Sequence, residues 1–150
     1  MLGELNKQQI EQILNSEVIG RTGIYADNKI YVVPISYAFD GKYIYGHSKD
    51  GMKIKMMRKN PHVCFEVDVM QNMANWQSVI SWGEFEELIE ANEQKRAMKI
   101  LIDRMMPLMT SETAQPSHGL SKSHAKDVEG MRAVVFRIEL KEKTGRFEKR

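Results

Sequence analysis

His62-Val63-Cys64-Phe65-Glu66-Val67-Asp68-Val69 alternates without a break. Val63, Phe65, Val67 and Val69 fall on one face and Cys64, Glu66 and Asp68 on the other, the period-two signature of a strand with one buried side. Two further stretches share the pattern. Trp76 to Ile89 reads as a long strand bent at Gly83, and Arg132 to Lys143 places Val134, Phe136, Ile138 and Leu140 on one face. Upstream, Glu17 to Ser48 is rich in β-branched and aromatic residues, with Asp27-Asn28 and Asp40-Gly41 placed for hairpin turns. These turns delimit strands at about 18–25, 30–38 and 42–47. Pro34 lies inside the second and cannot donate to a ladder, so that strand is expected to be bulged or at an edge. Six or seven strands, few helices and no β-α-β-α rhythm predict a mainly β fold, a small antiparallel barrel with flanking α-helices.

The helices are few and recognisable. Asn6-Lys7-Gln8-Gln9 is a capping-box pattern, followed at helical spacing by Ile10, Ile13 and Leu14. Asp50 to Lys59 reads as a second helix, with Met52, Met56 and Met57 on its buried side and Asn60-Pro61 as its stop. Glu93 to Met106 carries Met98, Leu101, Ile102 and Met105 as one apolar stripe. Residues 70–75 form a polar connection. Residues 110–130 hold almost nothing a core could use, and a polar stretch of that length is expected to be a loop or lid. With no internal repeat, one domain over 1–150 is the expectation.

Composition narrows the class. The chain has 150 residues, 42% hydrophobic and 28% charged, which fits a packed domain and argues against disorder. Twenty-two basic and twenty acidic residues leave a formal charge of +2, so neither nucleic acid nor an anionic membrane is an expected partner. Cys64 is the one cysteine. It excludes an intrachain disulfide and a multi-thiolate zinc site. Without an h-region near the N-terminus or an apolar run of the ~20 residues that span a bilayer, a reduced cytoplasmic setting is expected.

Three places could carry chemistry. In His47-Ser48-Lys49-Asp50-Gly51-Met52-Lys53 a strand ends and a helix begins with a glycine and a lysine in its first turn. Free N–H groups and the positive end of the helix dipole make such a terminus an anion site, with phosphate the natural ligand. Gly51 lets an anion approach the backbone, and Lys53 adds a full charge. The plainer reading is an ordinary helix start, capped by Asp50 with Lys53 solvated. In Val33-Pro34-Ile35-Ser36-Tyr37 a ladder interrupted by proline would offer main-chain groups to a flat heterocycle, with Val33 and Ile35 packing around it. The plainer reading is an edge strand protected by proline. Trp76-Gln77-Ser78-Val79 opens a strand with an aromatic and two polar groups, a combination that also suits core or interface.

Other chemistry finds less support. His118 and His124 match no metal-ligand spacing, and no metal is expected. Cys64 shares its face with Glu66 and Asp68, which raises a thiol pKa and makes a poor nucleophile. No Gly-x-Ser-x-Gly elbow is present. The eleven methionines read as core filler.

Taken in order, Val33-Pro34-Ile35-Ser36-Tyr37, Tyr45-Gly46-His47-Ser48, Gly51-Met52-Lys53, Asn60-Pro61-His62-Val63-Cys64-Phe65-Glu66-Val67, and Ser78-Val79 before Gly83 resemble the FMN-binding split-barrel superfamily. That superfamily includes the pyridoxamine 5′-phosphate oxidases. Within it the chain is most similar to the nitroimidazole-resistance type of flavoprotein. The resemblance runs from about Gly20 to Leu88, with a looser match at Thr144-Gly145-Arg146. It implies an antiparallel split β-barrel of Greek-key type, working as a homodimer with FMN at the subunit interface. Val33, Pro34, Ile35 and Ser36 would line the isoalloxazine with main-chain groups. His47, Ser48 and Lys53, with Gly51 and Met52 between them, would hold the ribityl phosphate. Ser78, with Trp76 beside it, would reach the flavin from the second subunit. Val63, Phe65, Val67 and Trp76 are then candidates for the two-fold interface.

The chain also departs from the oxidase pattern. Basic residues that oxidases carry near Tyr31 and Ser36 are absent, and Met52 stands where arginine is common. The basic residues that bind pyridoxamine phosphate are not recognisable in the C-terminal stretch. What the resemblance implies is therefore reduction of a small organic molecule, a nitroaromatic among the candidates, with NAD(P)H as electron source. Flavin binding or redox sensing without turnover is one alternative. A haem-handling barrel using His118 or His124 is another.

Overall fold

A computed structural model describes residues 1–108 and 133–150. The elements in chain order are β1 (Leu2–Glu4), α1 (Lys7–Ser16), β2 (Ile19–Ala26), β3 (Lys29–Ser36), β4 (Ala38–Phe39), β5 (Tyr43–Lys49), α2 (Met52–Lys59), β6 (His62–Asn72), β7 (Asn75–Glu87), α3 (Ala91–Met105) and β8 (Ala133–Glu148). A short 3₁₀ turn, Met106–Leu108, follows α3. The lid expected at 110–130, with His118 and His124, lies outside the described residues.

All eight strands join one antiparallel sheet in the order β3-β2-β6-β7-β8-β5-β4, with β1 paired to β8. The sheet does not close: β3 and β4 stand at its two ends, as a split barrel requires. Eight strands replace the expected six or seven. The additions are short: β1 is a three-residue strand on the far end of β8, and β4 is a two-residue piece divided from β3 at Tyr37. The last strand runs to Glu148 rather than Lys143, because Gly145 admits Leu5 and Ile10 where a side chain would collide with both.

The local devices follow from the residues. Asp27 and Asn28 both take positive φ, 53° and 60°, and join β2 to β3 in a two-residue hairpin. The Asp40 carboxylate accepts from the N–H groups of Lys42 and Tyr43 and closes the turn before β5. At Gly83 the β7–β8 register shifts, and a Cβ there would strike the Glu139 carbonyl. That is the bend the sequence places there. Pro34 lies on the terminal strand β3, where the missing N–H faces no outer neighbour. Pairing with β2 continues in register from Ile19↔Ser36 to Ala26↔Lys29, so proline marks an edge and not a break.

The main core lies between the concave side of the sheet and α1 and α2, with Ile24, Ile44, Ile54, Phe65, Val67, Phe136 and Ile138 almost fully buried. A second cluster packs α3 onto the other side of β5 and β8 through Tyr45, Leu101, Ile102 and Val135. Hence Val134, Val135 and Phe136 are all buried, although only alternate residues face the barrel. The Arg104 guanidinium donates to the carbonyls of Asn15 and Ser16, so α3 fastens to the end of α1. No described helix is long and apolar enough to cross a membrane.

Two sequence expectations are corrected by burial. Val63, Phe65 and Val67 are 4%, 1% and 0% exposed within one chain, so they belong to its own core and cannot form a two-fold interface. Met52 lies on the open side of α2, and Ile54, Met56 and Met57 supply the buried side. The phase of a two-turn helix is set by which residues meet β2, and the methionines alone did not fix it.

Candidate functional site

The end of β5 and the start of α2 bring together the polar residues singled out in the sequence. Ser48 is buried opposite Val134, and its hydroxyl donates to the Lys49 carbonyl at 2.9 Å, leaving the oxygen lone pairs. His47 is half-buried opposite Val135. The Gly51 N–H donates to the Lys49 carbonyl at 2.8 Å, and this tight turn swings the chain into α2. Gly51 is the cap residue, and among the described residues no side chain bonds to the first N–H groups of the helix. A helix start without a cap leaves donors and a partial positive charge available.

Asp50 does not cap, contrary to the plainer sequence reading. Its carboxylate accepts from the Arg58 guanidinium at 2.9 Å, and Arg58 also holds both oxygens of Glu87 at 2.8 Å. Lys53 is half-buried in the first turn, and no carboxylate among the described residues pairs with it. Burial alone lowers its pKa below the ordinary lysine value. A partly desolvated cation in the first turn of a helix whose N–H groups no described side chain caps is a fit for a phosphate or phosphate ester. Met52 contributes only an exposed apolar side chain at the rim.

The β3 segment divides by face. Ile35 is buried in the core, so its side chain cannot pack on a ring from outside, as the sequence had suggested, while Val33 is half-buried against the core. The outward residues are Ile30, Val32 and Pro34, with Ile30 76% and Val32 63% exposed. What Val33 to Ser36 can offer a flat ligand is main chain at the free edge of the sheet.

Ser78 and Trp76 lie elsewhere. Ser78 stands opposite Arg146 near the far end of β8, whereas Ser48 meets Val134 near its start. One chain therefore does not bring Ser78 to Lys53. The Ser78 hydroxyl donates to Glu66 at 3.3 Å, within a group where Arg21 reaches Asp68 at 2.8 Å and Glu66 at 3.6 Å. Burial, and then the charge of Asp68, push the Glu66 carboxyl up. The Cys64 thiol is likewise raised, by burial first and Glu66 second, as the sequence suggests. The Trp76 indole N–H donates to Glu148 at 3.2 Å and lines a small cavity of about 220 Å³ with Phe147.

Sequence reading missed the convex face of β3-β2-β6-β7. Tyr25, Ile30, Cys64, Trp82 and His62 line a groove of about 640 Å³ there, and Val32 and Ile80 extend the apolar surface. The signal was present as the opposite phase of the same alternation. Tyr25, Ile30, Val32 and Trp82 are apolar at positions where a strand facing only water would be polar.

The chain matches the pyridoxamine 5′-phosphate oxidase family over residues 6–147. It is 30% identical over 84 residues to an uncharacterised protein of Rhizobium meliloti, a match covering 56% of each chain, so it spans about half the length of that relative. It superposes on the crystal structure of a FAD-binding protein from Mesorhizobium loti with a TM-score of 0.79, 26% identity and 99% of each chain covered. It also superposes on a candidate 5-nitroimidazole antibiotic resistance protein from Bacteroides thetaiotaomicron with a TM-score of 0.71, at 21% identity, over 98% of this chain and 87% of that one. The open eight-stranded sheet and the family match agree: the chain belongs to the pyridoxamine 5′-phosphate oxidase family of flavin-binding split-barrel proteins.

Proposed function

We propose that the chain binds FMN at the β5–α2 junction as a homodimer and reduces a small organic molecule, nitroaromatics included, with NAD(P)H. The observation that carries the reading is Lys53, half-buried and free of any described carboxylate, beside a helix start that no described side chain caps. Bound flavin would supply the hydride chemistry. The protein would supply position: Lys53, Ser48 and the first N–H groups of α2 hold the phosphate, Gly51 lets it approach, and His47 flanks it. Main-chain groups of Val33 to Ser36 meet the ring edge.

A second copy completes the site on this reading. Ser78 and Lys53 lie toward opposite ends of β8 in one chain, which favours a Ser78 contact delivered by a partner. The exposed apolar face around Val32, Tyr25 and Trp82 is the surface that a second copy would cover. The name of the Mesorhizobium loti protein makes FAD the second candidate, since its proximal phosphate would present the same anion to Lys53.

Flavin titration of Lys53→Ala tests the assignment. Loss of a charge-assisted contact worth about 1.5–3 kcal/mol weakens FMN roughly ten- to hundredfold and leaves riboflavin unchanged. Equal losses for both ligands would reject the phosphate site. Steady NADH consumption with a nitroaromatic acceptor separates an oxidoreductase from a flavin-binding module without turnover.

A further inference from the structure

We propose that Arg58 is a positioning residue that keeps the phosphate site clear by holding Asp50 away from the start of α2. The inference rests on the phosphate reading above and concerns how the chain keeps that site open. Asp50 immediately precedes Gly51, the cap residue, and aspartate at a helix start ordinarily accepts from the first free N–H groups. A carboxylate seated there would occupy the donors a phosphate needs and would repel its charge. In the structure the carboxylate turns along the flank of the helix instead. It meets Arg58, two turns further on, at 2.9 Å.

Arg58 is itself fixed. Its Nε and Nη2 donate to the two oxygens of Glu87 at 2.8 Å each, a bidentate fork anchored at the end of β7, while Nη1 takes Asp50. All three side chains are partly exposed, 38%, 41% and 29% for Arg58, Asp50 and Glu87, and exposed ion pairs add little to stability. Their geometric effect is larger than their contribution to folding. The fork draws away the acidic side chain that directly precedes the helix mouth, and Lys53 keeps its charge for the ligand. A lysine at 58 could not grip both carboxylates in one plane.

The test is a double-mutant cycle on the full chain, titrated with FMN and with riboflavin. In R58A the released Asp50 caps α2, and FMN must displace it, which weakens FMN by about two- to thirtyfold while riboflavin is unaffected. D50A, whose side chain cannot cap, alone leaves FMN within about twofold of the parent, and R58A/D50A returns to that value. R58K, the variant to use should R58A fold poorly, loses FMN affinity less than R58A and is rescued by D50A in the same way. Unchanged FMN affinity in R58A, equal losses for FMN and riboflavin, or a double variant as weak as R58A would each overturn the role. A parent protein that binds riboflavin as tightly as FMN would instead overturn the phosphate reading itself, before any variant is compared.

Discussion

Tyr37→Phe removes one hydroxyl from the largest fully buried side chain among the described residues, and the structure sets what that removal costs. Tyr37 is 0% exposed, its ring meets Phe65 edge-on at 5.0 Å, and its hydroxyl donates to the Leu14 carbonyl at 2.8 Å. Leu14 lies in the last turn of α1, where carbonyls have no partner within the helix. Phenylalanine keeps the ring packing and leaves that buried carbonyl without its donor, at about 1–3 kcal/mol. Taking ~2 kcal/mol, Tm falls by roughly 4–8 °C for a chain of this size, and the urea midpoint by roughly 1 M at unchanged slope. The pH dependence gives a sharper check. Burial, reinforced by Glu17 and opposed by Arg104, holds the Tyr37 pKa well above the ordinary tyrosine value. Its folded pKa is raised, so its stabilising contribution is complete below the unfolded value near 10 and declines as pH rises through the interval above it. The loss is up to about 1.4 kcal/mol per pH unit. The parent should therefore lose about half of its advantage over Tyr37→Phe between pH 10 and 11, and the two variants should approach each other. Tyr45, raised to about 12, is present in both and cancels. Urea unfolding of both proteins at pH 7 and pH 11 measures this. Equal midpoints at pH 7, or a gap that does not narrow by pH 11, would refute the reasoning.

Four shorter predictions accompany it. Gly83→Ala drives a Cβ into the Glu139 carbonyl at the β7 bend and should destabilise by about 1–3 kcal/mol in denaturant titration, whereas a neutral outcome would mean the bend relaxes. FMN affinity should fall with rising pH at a lower pH than an ordinary lysine would give, because the free Lys53 ammonium is already weakened by burial; the riboflavin titration should stay flat. Cys64 should react with a thiol reagent at pH 7.5 more slowly than free cysteine, and Glu66→Gln should accelerate it, since Glu66 adds to the burial that raises the thiol. Val32→Lys, at a side chain exposed in the single chain, should leave the chain folded but shift sedimentation toward monomer and release FMN; a dimer that persists with flavin bound would place the interface elsewhere.

Much of this architecture was legible because its signals are short-range. The Asn6–Gln9 capping box is present with both reciprocal bonds, Asp27-Asn28 turns where its residues allow positive φ, and Gly83 bends β7. The missing pieces depend on contacts remote in sequence. Leu2–Glu4 is too short to show a period and is a strand only because Arg146 to Glu148 lies beside it. Asp50 looks like a cap until Arg58 and Glu87 draw it away. Alternation in β6 and β7 reveals two faces but not what covers each. Val63 and Phe65 proved to be covered by their own chain, while Trp82 and Val32 stand outside it. The proposed phosphate site was half-visible for the same reason. Gly51 and Lys53 could be read directly, but the absence, among the described residues, of a cap and of a carboxylate paired with Lys53 required the fold.

The central claim is that this split barrel carries FMN on the Lys53 anchor. Mass spectrometry of the chromophore released by denaturing the purified protein, after reconstitution with equimolar FMN, FAD and riboflavin, tests it most directly. The account predicts a yellow protein that releases FMN in preference to both others, with two FMN per dimer. Release of FAD alone, a haem-like Soret band in place of flavin absorption, or equal retention of riboflavin would contradict it.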